Sequence, residues 1–160
     1  MTRIAYILDV LLLSFAFGTT LWFFFVQSPA LFKSMGKERF LPLQMRLTKL
    51  LFKTLAVVVP LMLGATLVHG RDPYWLHVGT AGLATLGVLT NNFVVVPRAL
   101  KAGGQSLRDL QNEQAPDGSV SGFASDGGGS ATKVWHRMVV LFVVVMLAGL
   151  VSHGIVLMPG

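Results

Sequence analysis

The sequence predicts an all-α integral membrane protein, a four-helix bundle with an interfacial amphipathic helix between its first two transmembrane helices. Three observations carry this. The 160 residues contain four apolar runs of bilayer-spanning length. Only 12% of residues are charged and 53% are hydrophobic, with mean hydropathy +0.66, whereas a soluble domain carries about 25% charged residues. The thirteen basic residues are also distributed unevenly, eleven of them in or beside two connections.

A helix crossing about 30 Å of hydrocarbon needs roughly 20 mostly apolar residues. The runs fall at about 4–26, 47–68, 74–96 and 134–157. The first is interrupted only by Asp9, and it is too long for the 7–15-residue apolar core of a secretory signal, so it reads as a retained helix. The second carries Lys49 and Lys53 in its first turns and Pro60 near its middle, where a kink is expected. The third holds no charge, and the fourth is charged only at Arg137. None shows the polar/apolar alternation of a membrane barrel strand, and backbone groups in lipid must bond within their own segment, which leaves helices.

Segment 28–46, punctuated by Pro29 and Pro42, leads into an amphipathic stretch. Leu43, Leu47, Leu50 and Leu51 share one face and Arg46, Lys49 and Lys53 another, the pattern of a helix lying in the headgroup layer. Lys33, Lys37, Arg39 and Arg46 are its lipid-headgroup candidates. Residues 101–133, with seven Gly and five Ser, have the composition of a disordered loop. The two long connections and their flanks hold eleven Lys and Arg, against Arg3 and Arg71 on the other side. The positive-inside rule therefore predicts both long connections in the cytosol and the termini opposite. The same flanking placement explains the net charge of +6 without nucleic acid as a partner. Membrane lipids are the expected partners, together with a second copy of the chain or other membrane proteins.

Small residues permit close helix packing in lipid. Ser14 and Gly18 in the first helix, Gly79, Gly82 and Gly87 in the third, and Ala148 and Ser152 in the fourth are the candidate contact faces.

Ionisable and amide groups at membrane depth are expensive to bury, and they form two sets. Thr19, Thr20, Gln27, Asn91, Asn92, Arg98, His136 and Arg137 lie toward the side of the long connections, as polar glue or the lining of a binding notch. Asp9, His69, His77 and His153 lie toward the opposite side. Interfacial hydrogen bonding is the plain reading of that second set, and a metal or haem site is its sharper alternative. The absence of cysteine excludes disulfides, thiol nucleophiles and cysteine-ligated metal centres. No hydrolase signature is present, and Asp9 alone offers no acid/base pair. No cofactor and no enzymatic activity are expected.

Phe17-Gly18-Thr19-Thr20-Leu21-Trp22, then Phe25-Val26 and Pro29-Ala30-Leu31-Phe32, resemble the first-helix signature of the transmembrane-protein-205-like domain family. Phe40 through Gln44, Asn92-Phe93, Pro97-Arg98 and Trp135-His136-Arg137 extend the resemblance. It implies a four-helix multi-pass protein of eukaryotic endomembranes or bacterial membranes, and it implies no reaction. The functional expectation is a non-enzymatic protein of membrane organisation, trafficking, or small-solute or lipid handling. A metal- or haem-binding redox protein and an oligomeric transporter or channel subunit are the alternatives. In a eukaryotic cell the secretory pathway is the expected location, with a mitochondrial membrane or a bacterial inner membrane as the other settings.

Overall fold

The computed structural model describes residues 2–101 and 126–158. Every regular element among them is helical: α1 (Thr2–Leu21), a π-helical stretch (Trp22–Gln27), α2 (Ser28–His69), α3 (Tyr74–Thr90), a second π-helical stretch (Asn91–Val95) with helix continuing to residue 101, and α4 (Asp126–Leu157). Four helical segments are long and apolar enough to cross a membrane: Thr2–Met35, Pro42–His69, Tyr74–Lys101 and Arg137–Leu157. They are the first to fourth spans below.

Although α2 is helical from end to end, it is not a single rod. The Gln44 side chain donates to the Ser28 hydroxyl at 2.8 Å, and the Phe32 and Phe40 rings stand edge-to-face with centroids 5.3 Å apart. Sixteen residues of straight helix would hold Ser28 and Gln44 about 24 Å apart along the axis. The chain therefore doubles back between Phe32 and Phe40, where the sequence supplies Gly36 and, just after, Pro42. Residues 28–35 thus continue the first span and 42–46 open the second. The Lys37 side chain lies outside the described residues. So do residues 102–125 of the expected loop, while α4 begins at Asp126, ahead of the expected 134. Neither Pro42 nor Pro60 interrupts α2.

What the helices bury follows a heptad-like seam, the pattern that keeps one face of each helix against its neighbours. On α2 the seam passes through Phe52, Leu55, Val59, Met62, Thr66 and His69, with Leu51 and Ala65 buried beside it. On α3 and its π-helical continuation it passes through His77, Ala81, Ala84, Val88, Asn91 and Val95, with Thr85, Gly87 and Val96 buried beside it, and on α4 through Val139, Val143, Met146, Leu150, His153 and Leu157, with Gly149 buried beside it. Spacings of three and four alternate throughout. The middle of every seam is apolar, and polar residues stand toward the ends: Thr66 and His69 on α2, His77 and Asn91 on α3 and its continuation, and His153 on α4. Large apolar side chains such as Leu11, Phe25, Leu61, Leu86 and Val144 point outward, as lipid-facing residues should.

Helices α3 and α4 approach most closely at glycine. A Cβ on Gly149 would lie 2.7 Å from the Ala84 backbone nitrogen, and one on Gly87 would lie 3.3 Å from the Met146 backbone. Of the expected small faces, only Gly87 makes such a contact. Gly18, Gly79 and Gly82 have open space around them, and Ser14, Ala148 and Ser152 are exposed. The close contact falls at Gly149, beside the seam and one position beyond Ala148.

Candidate functional site

Asp9, His69, His77 and His153, one from each span, meet at the end of the bundle where α2 passes through residues 70–73 into α3. All four are buried. Asp9 stands two turns into α1, His69 ends α2, His77 lies in the first turn of α3 and His153 stands one turn from the end of α4, so their seams converge at one depth.

The carboxylate is the hub. The Nε2 atom of His69 lies 2.9 Å from Asp9 Oδ2, and Nε2 of His153 lies 3.1 Å from both carboxylate oxygens. The Thr66 hydroxyl is 3.1 Å from Asp9 Oδ2 and 3.0 Å from the Met62 carbonyl. On the far side of His69, the Arg71 backbone N–H donates to Nδ1 at 3.2 Å. A backbone N–H can only donate, so Nδ1 is the bare nitrogen, and Nε2–H donates to Asp9. On the far side of His153, Nδ1 lies 3.1 Å from the Thr80 hydroxyl, which also lies 2.9 Å from the Leu76 carbonyl. The His77 ring stands nearly perpendicular to both other imidazoles, with centroids 5.6 and 5.7 Å away, and its buried Nδ1 has no hydrogen-bond partner.

Thr66 and Thr80 were not legible as site residues from composition, yet a signal exists. They sit at three-residue spacing from a histidine, in Thr66-Leu67-Val68-His69 and His77-Val78-Gly79-Thr80, and so share that histidine's helix face.

Above this network an open pocket of about 670 Å³ is lined by Thr2, Arg3, Tyr6, Ile7, His69, Gly70, Arg71 and Asp72. The Arg71 guanidinium lies 4.5 Å over the Tyr6 ring, and the Tyr6 hydroxyl donates to the Leu157 carbonyl at 3.3 Å, closing the first span onto the fourth. His69 is the wall shared between the pocket and the Asp9 network.

Among the described residues, no group of three or more His, Asp or Glu side chains is arranged to hold a metal ion. The Nε2 atoms of His69 and His153 both end on the Asp9 carboxylate.

At the opposite end the other polar set is spread out. Thr20 donates to the Ala16 carbonyl of its own helix at 2.7 Å, and Thr19 is half-buried. Buried Asn91 donates across to the Val139 carbonyl at 3.4 Å, and its Oδ1 has no partner. Asn92 and Gln27 are half-buried, while Arg98 and Arg137 are exposed. The His136 side chain lies outside the described residues. A hydrogen-bonded pair that sequence reasoning missed also lies here: the Ser28 hydroxyl donates to the Phe23 carbonyl at 2.7 Å and accepts from Gln44.

One family model matches, a domain of unknown function, DUF4149, over residues 11–106. The chain belongs to this family. The match replaces the expected transmembrane-protein-205-like assignment, since the family found is a different one. It spans Thr66, His69, His77, Thr80 and Asn91, while Asp9 lies just before it and His153 lies well beyond its end. No curated protein and no solved structure matches the chain.

Proposed function

We propose that this DUF4149 protein is a non-enzymatic, multi-pass membrane protein that holds a small anionic solute or an anionic lipid headgroup at one membrane face, in the pocket above His69. One observation carries the reading: the pocket opens at the end of the bundle, and its wall presents the guanidinium-bearing side chains of Arg3 and Arg71 against the single carboxylate of Asp72. Paired cations at the membrane surface favour phosphate or carboxylate groups. The His69 and His153 imidazoles beneath are bonded to the Asp9 carboxylate rather than turned toward a reacting group, which supports binding over catalysis. Phe52, Leu55, Val59 and Met62 are buried beyond them, and this apolar middle supports a site reached from one face over a through-pore.

The other face seats the chain. The first helical segment, Thr2–Met35, is about 51 Å long at 1.5 Å per residue, so its final turns extend past the hydrocarbon. That overshoot supports an interfacial position for the bend, where exposed Lys33, Arg39 and Arg46 meet anionic lipid. The charge bias supports a cytosolic bend and 102–125 connection, with the pocket and both termini opposite.

Retention of lipid by the full-length protein tests the pocket. After reconstitution in nanodiscs of mixed phosphatidylglycerol and phosphatidylcholine, native mass spectrometry should show preferential retention of phosphatidylglycerol or of an added small carboxylate or phosphate. Arg3→Gln with Arg71→Gln should abolish that preference, and Arg39→Gln with Arg46→Gln should leave pocket retention intact. Equal retention by the Arg3/Arg71 variant and the parent refutes the reading.

A further inference from the structure

We infer that His153 and Asp9 form a proton-binding site inside the bundle, in which the Thr80 hydroxyl reverses its hydrogen bond when His153 takes the proton. The ligand is a proton from water, and the inference stands apart from whichever anion occupies the pocket.

The argument rests on which nitrogens can change state without orphaning a neighbour. An ionised carboxylate only accepts, so Asp9 requires a proton on the Nε2 atom of both His69 and His153, each within 3.1 Å of it. The two imidazoles differ at their other nitrogen. Nδ1 of His69 accepts from the Arg71 backbone N–H, which cannot turn round, and a proton there would set two donors against each other. His69 is therefore held neutral. Nδ1 of His153 faces a hydroxyl, which both donates and accepts. With His153 neutral, Thr80 donates to Nδ1 at 3.1 Å. With His153 doubly protonated, Nδ1–H donates to Thr80, whose own proton turns to the Leu76 carbonyl at 2.9 Å. Both states are fully bonded, and only the hydroxyl rotor moves.

Charge also calls for a proton on the Asp9–His153 pair. With both imidazoles neutral, the network buries one uncompensated negative charge, an expensive arrangement at membrane depth. A proton on His153 cancels it. The groups facing His153 are Asp9 from the first span, Thr66 and His69 from the second, and His77 and Thr80 from the third. Arg71 and Tyr6 sit at the rim behind His69. His77 has no partner at Nδ1, so no neighbour there is placed to accept from a second proton. The pocket brings bulk water to the outer side of His69, one imidazole away from the site.

The chain has four histidines, so the test is direct. Full-length protein labelled with ¹⁵N in its imidazoles, reconstituted in nanodiscs, is titrated between about pH 5 and 9, the window in which histidine changes charge. Signals are assigned with single His→Gln variants. His153 should pass reversibly from one protonated nitrogen to two, while His69 keeps a bare Nδ1 and a protonated Nε2 throughout. Thr80→Val should lower the proton affinity of His153 about tenfold or more, the scale of one hydrogen bond to a charged group, and Thr80→Ser should restore it. Asp9→Asn should leave His153 singly protonated across the range, which keeps the test alive if Thr80→Val fails to fold. The inference is overturned if His69 or His77 gains the second proton instead, if Thr80→Val titrates like the parent, or if stoichiometric metal is bound and both imidazoles show metal-shifted resonances. No anion is needed for the titration, so loss of anion retention leaves its result unaffected, and the reverse also holds.

Discussion

At the Asp9 end of the bundle, a carboxylate from the first span collects donors from the second and fourth, and the rim residues Tyr6 and Arg71 close over them. At the Asn91 end, Thr20 donates to its own helix, Asn91 reaches a single carbonyl on α4, and the amide oxygens of Asn91 and Gln44 are buried without partners. Both sets occupy the same inward seam: His77 and Asn91 are two heptads apart on one helix face. The difference lies in what the neighbouring seams present. Near Asp9 the first, second and fourth spans place complementary donors and acceptors at one depth, and His77 Nδ1 alone among these imidazole nitrogens is buried without a partner. Near Asn91 the α4 seam presents Val139 and Val143, and the amide is left half-satisfied. The helices also differ there. The first span and the third each open into a π-helical stretch, Trp22–Gln27 and Asn91–Val95, while the Asp9 end keeps regular α-helix. Burial alone therefore does not make a polar group a stabilising one; its partners decide the sign.

This contrast can be broken by mutation. Asp9→Leu removes the acceptor shared by Thr66, His69 and His153 and should cost about 3–5 kcal/mol, the range for stripping one partner from a buried charged network. Asn91→Leu removes one weak bond together with an orphaned oxygen and should change stability by less than about 1 kcal/mol. Unfolding by denaturing detergent in mixed micelles measures both, and equal losses would erase the distinction between the two ends.

Gly149→Ala should cost about 1–3 kcal/mol, because the added methyl meets Ala84 backbone rather than a movable side chain. Gly79→Ala, with open space around it, should be neutral or slightly stabilising in the same assay. Ser28→Ala should cost about 0.5–1.5 kcal/mol. It removes the partner of Gln44 at the bend and should raise protease sensitivity between residues 33 and 41 without loosening the Asp9 end.

The spans were legible because apolar length is a property of composition. Their edges drifted at the bend, since the reversal between Phe32 and Phe40 depends on a contact between Ser28 and Gln44 that no local pattern announces. Asp9, His69, His77 and His153 were legible as candidates because ionisable residues stand out against apolar runs. That they face one another is encoded in seam spacing, in which His153 continues Val139, Val143, Met146 and Leu150, and Asn91 continues Ala84 and Val88. Thr66 and Thr80 were harder to see, because threonine in a membrane helix usually bonds its own backbone, as Thr20 and Thr85 do here. Gly149 was hidden for a different reason: one of three adjacent small residues, Ala148, Gly149 and the nearby Ser152, faces α3, and only the register of the whole helix selects it.

A double-mutant cycle between Asp9→Asn and His153→Gln tests the shared network most directly, since the two residues are 144 positions apart in sequence. Measured as unfolding free energies of the full-length protein in one detergent system, the two changes should be non-additive by about 1–3 kcal/mol, as contacting buried partners are. Additivity within about 0.3–0.5 kcal/mol, the behaviour of distant independent sites, would contradict the convergence of the first and fourth spans on one carboxylate.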